Sequence, residues 1–412
     1  MSEKNDIKIP DYVLKIMTYL EASGFEAFVV GGCVRDSLCG KIPTDWDVCT
    51  SASPNNVKEI FDGIMTVIPT GEKHGTVTVL SENNAVEVTT FRTDGGYIDG
   101  RHPEDVCFVS NIENDLARRD FTVNAMAYSH SRGLVDLYGG IDDIYLNILR
   151  CVGDPTTRFK EDALRIMRAI RFSAVCEFEI ERETASAIHL CRELLRKVSA
   201  ERIYEELKKI LMSENPSKLL TEYRDVFEVI LPQIFSEEIF SINSCALADK
   251  MPSDIALRLA AVLSMGDLQS VRDALVSLKA ERSVRHIVLL LCERGKLSPP
   301  ADKVSVKYFL KEFGIDKARL LLEFGRVSSS VISKDTSAFD YAISIINEII
   351  YNDECFSLKN LDINGSDIIN LGFGKGSEIG RILDTLLNNV IEGNLPNKRK
   401  DLIKFVKTVA FL

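Results

Sequence analysis

At 412 residues the chain has the length for two to four domains, with enough sequence for a sizeable core. Its 45% hydrophobic and 27% charged content is ordinary for globular protein, and no apolar run approaches the roughly 18 residues of a membrane span. A net charge of -11 counts against a bulk polyanion binder, although it leaves room for RNA held through local basic patches.

The start, MSEKNDIKIP, carries no secretory apolar segment. The ten cysteines form no CxxC pair and no metal-finger spacing. Scattered thiols of this kind point to a reducing, cytoplasmic setting.

In chain order, Phe25–Val30 (FEAFVV) is the first run with a strand's length and composition. It leads into GGCVRD at Gly31–Asp36. Glycine permits positive φ and a close backbone approach to a ligand. The amides beyond the turn open a helix, whose start favours anions. Arg35 adds a fixed fork of positive charge suited to phosphate. Asp45–Thr50 (DWDVCT) reads as a second strand. Residues i and i+2 of a strand share a face, so Asp45 and Asp47 are expected to project together. Two carboxylates side by side repel unless a cation lies between them, and magnesium is usually held by one or two carboxylates plus substrate phosphates. A strand, a Gly-Gly turn, a helix and a two-carboxylate strand together suit a nucleotidyl-transfer site.

Thr76–Leu80 and Ala85–Phe91 (AVEVTTF) read as a hairpin turning at Ser81–Asn84. Glu87 is a third carboxylate candidate if its strand pairs beside Asp45–Thr50; otherwise it is a solvated strand glutamate. Two ions about 3.5–4 Å apart would then clamp the attacking and leaving oxygens of a phosphoryl displacement. Thr93–Val109 is not strand-like at its start; it is glycine-rich and polar, the composition of a mobile loop that is either functional or disordered. Arg118–Tyr128 (RRDFTVNAMAY) is expected to be an amphipathic helix opening with two arginines. These differ by about 100° on a helix, so one of them, taken as Arg119, aims at a nucleotide phosphate.

Beyond about residue 155 the periodicity becomes helical almost throughout, punctuated by prolines. EDALRIMRAIRF carries Glu161, Asp162, Arg165, Arg168 and Arg171. Residues three apart share a helical face, so Asp162 and Arg165 can present an acceptor beside a donor. That pair complements the amine-and-acceptor edges of cytosine and adenine and mismatches guanine and uracil. The same spacing also suits a plain intrahelical salt bridge. Near the end of the chain, Lys398, Arg399, Lys400, Lys404 and Lys407 stand against Asp401, giving a local balance of +4.

As a set and in this order, GGCVRD, DWD, VEVTTFR, DGRHP, RRDFTVNAMAY and EDALRIMRAIRF resemble the class II tRNA nucleotidyltransferases, the family of CCA-adding enzymes and bacterial poly(A) polymerases. The resemblance spans roughly residues 25–210. It extends more weakly to ERIYEELKKIL (Glu201–Leu211) and Gly365–Leu383. It implies an α+β fold: a nucleotidyltransferase head with a small mixed β-sheet over 1–150, then an all-helical neck (151–215), body (216–300) and tRNA-binding tail (301–412). It also implies a two-metal Mg2+ site at Asp45 and Asp47 with Glu87 as the third carboxylate. Gly31, Gly32, Arg35 and Arg119 fall on the nucleotide-contacting motifs. Asp162 and Arg165 match the protein-borne template for C and A, with Arg168 and Arg171 beside them. The implied partners are tRNA, CTP and ATP, with RNA contacts expected at Lys398, Arg399 and Lys400. The implied activity is addition of C, C and A without a nucleic-acid template. An A-adding enzyme or poly(A) polymerase is the alternative, and a catalytically silent RNA-binding protein is a further one. Leu257–Leu268 has no His-Asp pair, and the five histidines form no ligand cluster, so no second metal-hydrolase centre is expected.

Overall fold

The computed structural model describes residues 7–94, 106–295, 297–374 and 376–409. Its internal contacts divide the chain into two compact units, Met1–Phe235 and Ser236–Leu412.

The first unit opens with α1 (Asp11–Ala22), which buries Val13, Ile16, Met17 and Leu20. That i, i+3, i+4, i+7 stripe is the core face of a helix. β1 (Ala27–Val30) is buried along its whole length and feeds α2 (Gly32–Leu38) through Gly31, at φ 74°. β2 (Asp47–Thr50) precedes α3 (Pro54–Phe61), whose start is closed by a Ser53–Asn56 capping box. β3 (Thr66–Gly71), β4 (Thr76–Ser81) and β5 (Asn84–Thr90) follow. Glu82 and Asn83, both at positive φ, make the two-residue turn between β4 and β5, the geometry that matches strand twist.

Next come a short ladder of β6 (Arg92–Asp94) and β7 (Val106–Phe108), then α4 (Ile112–Ala117), β8 (Met126–Ser129), β9 (Gly133–Asp136) and α5 (Gly140–Leu146). The main sheet has seven strands in the order β3-β4-β5-β2-β1-β8-β9. β2 and β5 run parallel and every other neighbouring pair is antiparallel. The sheet is therefore mixed, as expected. Phe28, Val30, Cys49, Phe91, Ile112, Leu116 and Ala127 form a core cluster on it.

Helices α6 (Pro155–Glu161), α7 (Leu164–Cys176), α8 (Arg182–Cys191) and α9 (Ala200–Leu211) then pack as α6 on α8 and α7 on α9. Two-residue strands at Ile148–Leu149 and Glu179–Ile180 interrupt the helical pattern.

Described by itself, the second unit contains no strand among its described residues. Its helix Ile255–Leu263 is buried from Ala256 to Leu263. The long helical run Lys303–Val331 breaks at Gly314, which sits at φ 74°. Val306, Leu310, Phe339 and Ile346 belong to one core cluster, and Ile368, Leu387 and Leu402 to another. The fold is α+β, a mixed-sheet head followed by helices. No helix among the described residues is long and apolar enough to cross a membrane.

Four local expectations change. Asp45 lies ahead of the strand, which begins at Asp47. Arg118–Tyr128 is not a helix: Arg118 caps α4, a single 3-10 turn covers Thr122–Asn124, and β8 begins at Met126. Residues 121 to 129 are all buried, so the segment has no solvent side from which a helical period could be read. Asp162 and Arg165 do not share one helix, because Asp162 is extended (φ -138°, ψ 105°) and separates α6 from α7. Thr93 is in a strand, paired with Cys107; residues 95–105 of the expected loop lie outside the described residues.

Candidate active site

The sheet brings the first carboxylates together. In the parallel pair of β2 and β5, Asp47 is directly opposite Glu87. Neighbouring strands are about 4.8 Å apart, so two anionic side chains meet at this register position. Asp47 is accessible as a residue, but protein packed around its carboxyl partly desolvates it and raises it above its ordinary value; the charge of Glu87 raises it further, Arg119 opposes the rise, and Asp45 adds to it. Asp45, Asp47 and Glu87 are exposed, and none makes an ion pair among the described residues. A carboxylate held against other carboxylates is one whose charged form would be relieved by a cation. No group of three or more His, Cys, Asp or Glu among the described residues could hold a metal ion by itself. One or two carboxylates completed by phosphate oxygens suit a hard divalent ion, so the donor set fits that class of metal.

The turn between β1 and α2 forms the next wall. A Cβ at Gly31 would lie 3.0 Å from Nη1 of Arg119 and would also sit at φ 74°. Glycine suits the backbone angle there, and any side chain would also have to push the Arg119 guanidinium aside. Arg35 is 8% exposed. Its Nη1 donates to Oδ1 of Asn124 at 2.7 Å and its Nε to Oδ1 of Asp36 at 2.9 Å.

Asp115 of α4 is fully buried beneath the two adjacent arginines. Nη2 of Arg118 donates to its Oδ1 at 2.7 Å and Nη2 of Arg119 to its Oδ2 at 3.0 Å. Burial pushes the Asp115 carboxyl up, but Arg119 and Arg118 outweigh that and hold it below its ordinary value. Both arginines are thus fixed from below by one carboxylate.

The helices supply the opposite wall. Nε of Arg168 donates to Oδ2 of Asp120 at 2.8 Å, and Arg171 pairs with Glu206 of α9. Arg165 donates to Glu161 at 2.6 Å and to the Arg118 carbonyl at 2.9 Å. Asp162 does not pair with Arg165. Its Oδ2 accepts from Nη2 of Arg202 at 2.9 Å, and its Oδ1 accepts the Leu164 amide at 3.0 Å. The intrahelical Asp162–Arg165 salt bridge is therefore not formed.

These walls enclose a cleft of about 460 Å³ lined by Gly31, Gly32, Arg35, Asp47, Arg119, Asp162, Arg165, Arg168 and Arg171, with Arg118, Asp120, Asn124, Leu164, Phe172 and Arg202 among them. Its lining carries seven arginines against three aspartates, a cationic surface backed by Asp36, Asp115, Glu161 and Glu206, in a chain of net charge -11. Glu87 meets it only through Asp47, and Asp45 stands outside its lining. A larger groove of about 800 Å³ in the second unit has no such concentration of charge. Lys398, Arg399 and Lys400 are in the second unit; Arg399 is engaged by Asp367, its Nη1 donating to Oδ2 at 2.8 Å. Sequence reasoning missed Arg202, Phe172, Asn124 and the buried anchors Asp115, Asp120 and Glu206. Arg202 and Glu206 belong to the ERIYEELKKIL segment, the one signal that could have drawn attention to them.

Residues 27–150 match the family model described as the poly A polymerase head domain. Residues 177–237 match the family model described as "Probable RNA and SrmB-binding site of polymerase A", and residues 265–406 the one described as "tRNA nucleotidyltransferase domain 2 putative". The chain is 34% identical to the CCA-adding enzyme of Streptococcus gordonii over 404 residues, covering 96% of each. The crystal structure of the Bacillus stearothermophilus CCA-adding enzyme in complex with CTP superposes with a TM-score of 0.79 at 26% identity, covering 100% of this chain and 98% of that one. The Thermotoga maritima CCA-adding enzyme complexed with tRNA shares the fold, with a TM-score of 0.68 at 20% identity over 97% and 96% of the two chains.

Proposed function

The chain belongs to the family of CCA-adding enzymes, nucleotidyltransferases that use a divalent metal, and from that membership we infer how its own residues divide the work. It adds C, C and A to the 3′ end of tRNA from CTP and ATP, with no nucleic-acid template. The tRNA 3′ hydroxyl attacks the α-phosphate of the bound nucleotide, a new phosphodiester forms, and pyrophosphate leaves.

In our reading Asp45 and Asp47, with Glu87 beside them, would hold two Mg2+ ions. When bound, these supply activation of the hydroxyl and stabilisation of the departing oxygens. The crowding that raises the Asp47 carboxyl supports this reading, as does the Asp47–Glu87 register. Gly31 and Gly32 allow the triphosphate to approach the backbone, while Arg35 and Arg119 receive its charge. Asp162 accepts from the exocyclic amine common to cytosine and adenine and Arg165 donates beside it, with Arg168 and Arg171 flanking them. A mismatched base would leave these groups unpaired at a cost of about 1–3 kcal/mol each.

We divide the chain into a head (1–150), a neck (151–215), a body (216–300) and a tail (301–412) that holds tRNA through Lys398, Arg399 and Lys400. Ten cysteines, none in a disulfide among the described residues, suit a reducing cytoplasm. The observation that carries the reading is the cationic cleft joined to a carboxylate pair. The test offers each labelled nucleoside triphosphate with tRNA ending at the discriminator base, at -C and at -CC. CTP should be incorporated on the first two and ATP on the third. Repeated ATP addition to the discriminator end would make it an A-only enzyme instead.

A further inference from the structure

Seven arginines in one cleft repel one another, and a carboxylate that restrains an arginine also cancels its charge. Three of the arginines share a second kind of contact. The ring of Phe172, on α7, lies 3.7 Å from the Arg171 guanidinium carbon, 5.2 Å from that of Arg35 and 5.3 Å from that of Arg168. All are within the roughly 6 Å over which an aromatic ring attracts a cation. Arg168 and Arg171 share the helix of Phe172, whereas Arg35 reaches the ring from α2. Each guanidinium is also held by one carboxylate: Asp36 for Arg35, Asp120 for Arg168 and Glu206 for Arg171. Phe172 is 7% exposed, so water competes little for these contacts. A ring quadrupole carries no net charge. It draws the three guanidinium groups together without adding further negative charge to the array.

We propose that Phe172 is a positioning residue for the incoming nucleotide: its ring gathers Arg35, Arg168 and Arg171 into one cationic array matched to a polyphosphate chain. The proposal rests on reading this cleft as the nucleoside triphosphate site. It adds a specific part to that reading, an uncharged group that organises charges from two separate elements.

The test compares Phe172→Leu, which keeps an apolar side chain without a ring, with Phe172→Tyr, which keeps the ring. Binding of CTP and ATP is measured without tRNA, and inorganic tripolyphosphate is titrated as a competitor. Phe172→Leu should weaken CTP, ATP and tripolyphosphate alike, by about tenfold. KM for each nucleotide should rise while KM for tRNA stays at the wild-type value, and Phe172→Tyr should behave as wild type. Unchanged tripolyphosphate binding in Phe172→Leu would overturn the proposal, and a loss confined to CTP and ATP would assign the ring to the base instead. Equal loss in Phe172→Tyr, or a parallel rise in KM for tRNA, would reduce the residue to a structural one. Asp47→Asn serves as the control on the underlying reading. If that variant adds nucleotides at close to the wild-type rate, the assignment of the site fails, whatever Phe172 does to polyphosphate binding.

Discussion

Asp47 sets function against stability within one side chain. Local desolvation of its carboxyl, with Glu87 and Asp45 beside it, raises its folded-state value above the ordinary 3.8. A carboxyl raised on folding makes ionisation unfavourable to the fold. The resulting loss of stability sets in as pH climbs above 3.8 through the raised value, and it persists at neutral pH. Asp47→Asn should therefore raise the Tm of the metal-free protein at pH 7. It should also lower nucleotide addition by at least about 100-fold, the scale of losing one preorganised electrostatic group. Added magnesium should raise the Tm of the wild type more than that of the variant. Calorimetry with and without the ion checks both signs, and a Tm below wild type would refute the electrostatic account. Asp162 makes a separate prediction. Its carboxylate is aimed by Arg202 and by the Leu164 amide. Asp162→Ala should spare metal-dependent Tm shifts yet erode discrimination against UTP and GTP by about 1–3 kcal/mol in kcat/KM. Undiminished preference for C and A would return Asp162 to a purely structural role.

At the scale of elements, the cleft depends on the tie between α7 and the segment that precedes β8. Asp120 is 8% exposed and anchors Arg168. Burial raises its carboxyl, but Arg168, its hydrogen bond and Arg165 more than compensate and hold it below the ordinary value of 3.8. Stability from this group is complete above 3.8 and is lost as pH falls through the depressed value. Asp120→Asn should cost about 1–3 kcal/mol at pH 7. It should also flatten the acid limb of a urea-midpoint profile, and a limb as steep as the wild type's would exclude Asp120 as its source. The strands of this region were legible because Val86 and Val88 alternate with exposed Ala85 and Glu87, and Val77 and Val79 with the polar Thr76 and Thr78, the period-two signal of a strand. The Arg118–Tyr128 segment was not legible. Phe121, Val123, Ala125 and Met126 are apolar in either reading, and burial on every side removes the period. The break at Asp162 carries neither proline nor glycine, so a continuous helix was the natural expectation. The partners of Asp162, Arg168 and Arg171 lie 40, 48 and 35 positions away, and pairings at that distance are set by packing rather than by local pattern.

For the whole molecule, the electrostatic question is how a chain of net charge -11 retains a polyanion. Coulombic attraction from the molecule at large has the wrong sign, so retention must come from local concentrations of cations. One is the arginine cleft, sized for a nucleotide. Another is the basic end of the chain, where Lys398 and Lys400 are exposed and make no ion pair among the described residues. Arg399 differs from them. It is tied to Asp367, with its backbone amide bonded to Asp362, and so helps to seat the helix Arg399–Val409. Removing all three charges would confound lost RNA contact with a loosened helix, so the two lysines form the cleaner test. Each phosphate contact contributes about 0.7–0.9 to the slope of log affinity against log salt. The double variant Lys398→Ala, Lys400→Ala should therefore weaken tRNA binding and reduce that slope by about 1.5, with Tm unchanged. Arg399→Ala should lower Tm as well. Filter-binding across a salt series distinguishes the possibilities: an unreduced slope in the double variant would mean that this end is a solvated helix terminus, and that the tRNA is held by charges elsewhere on the chain.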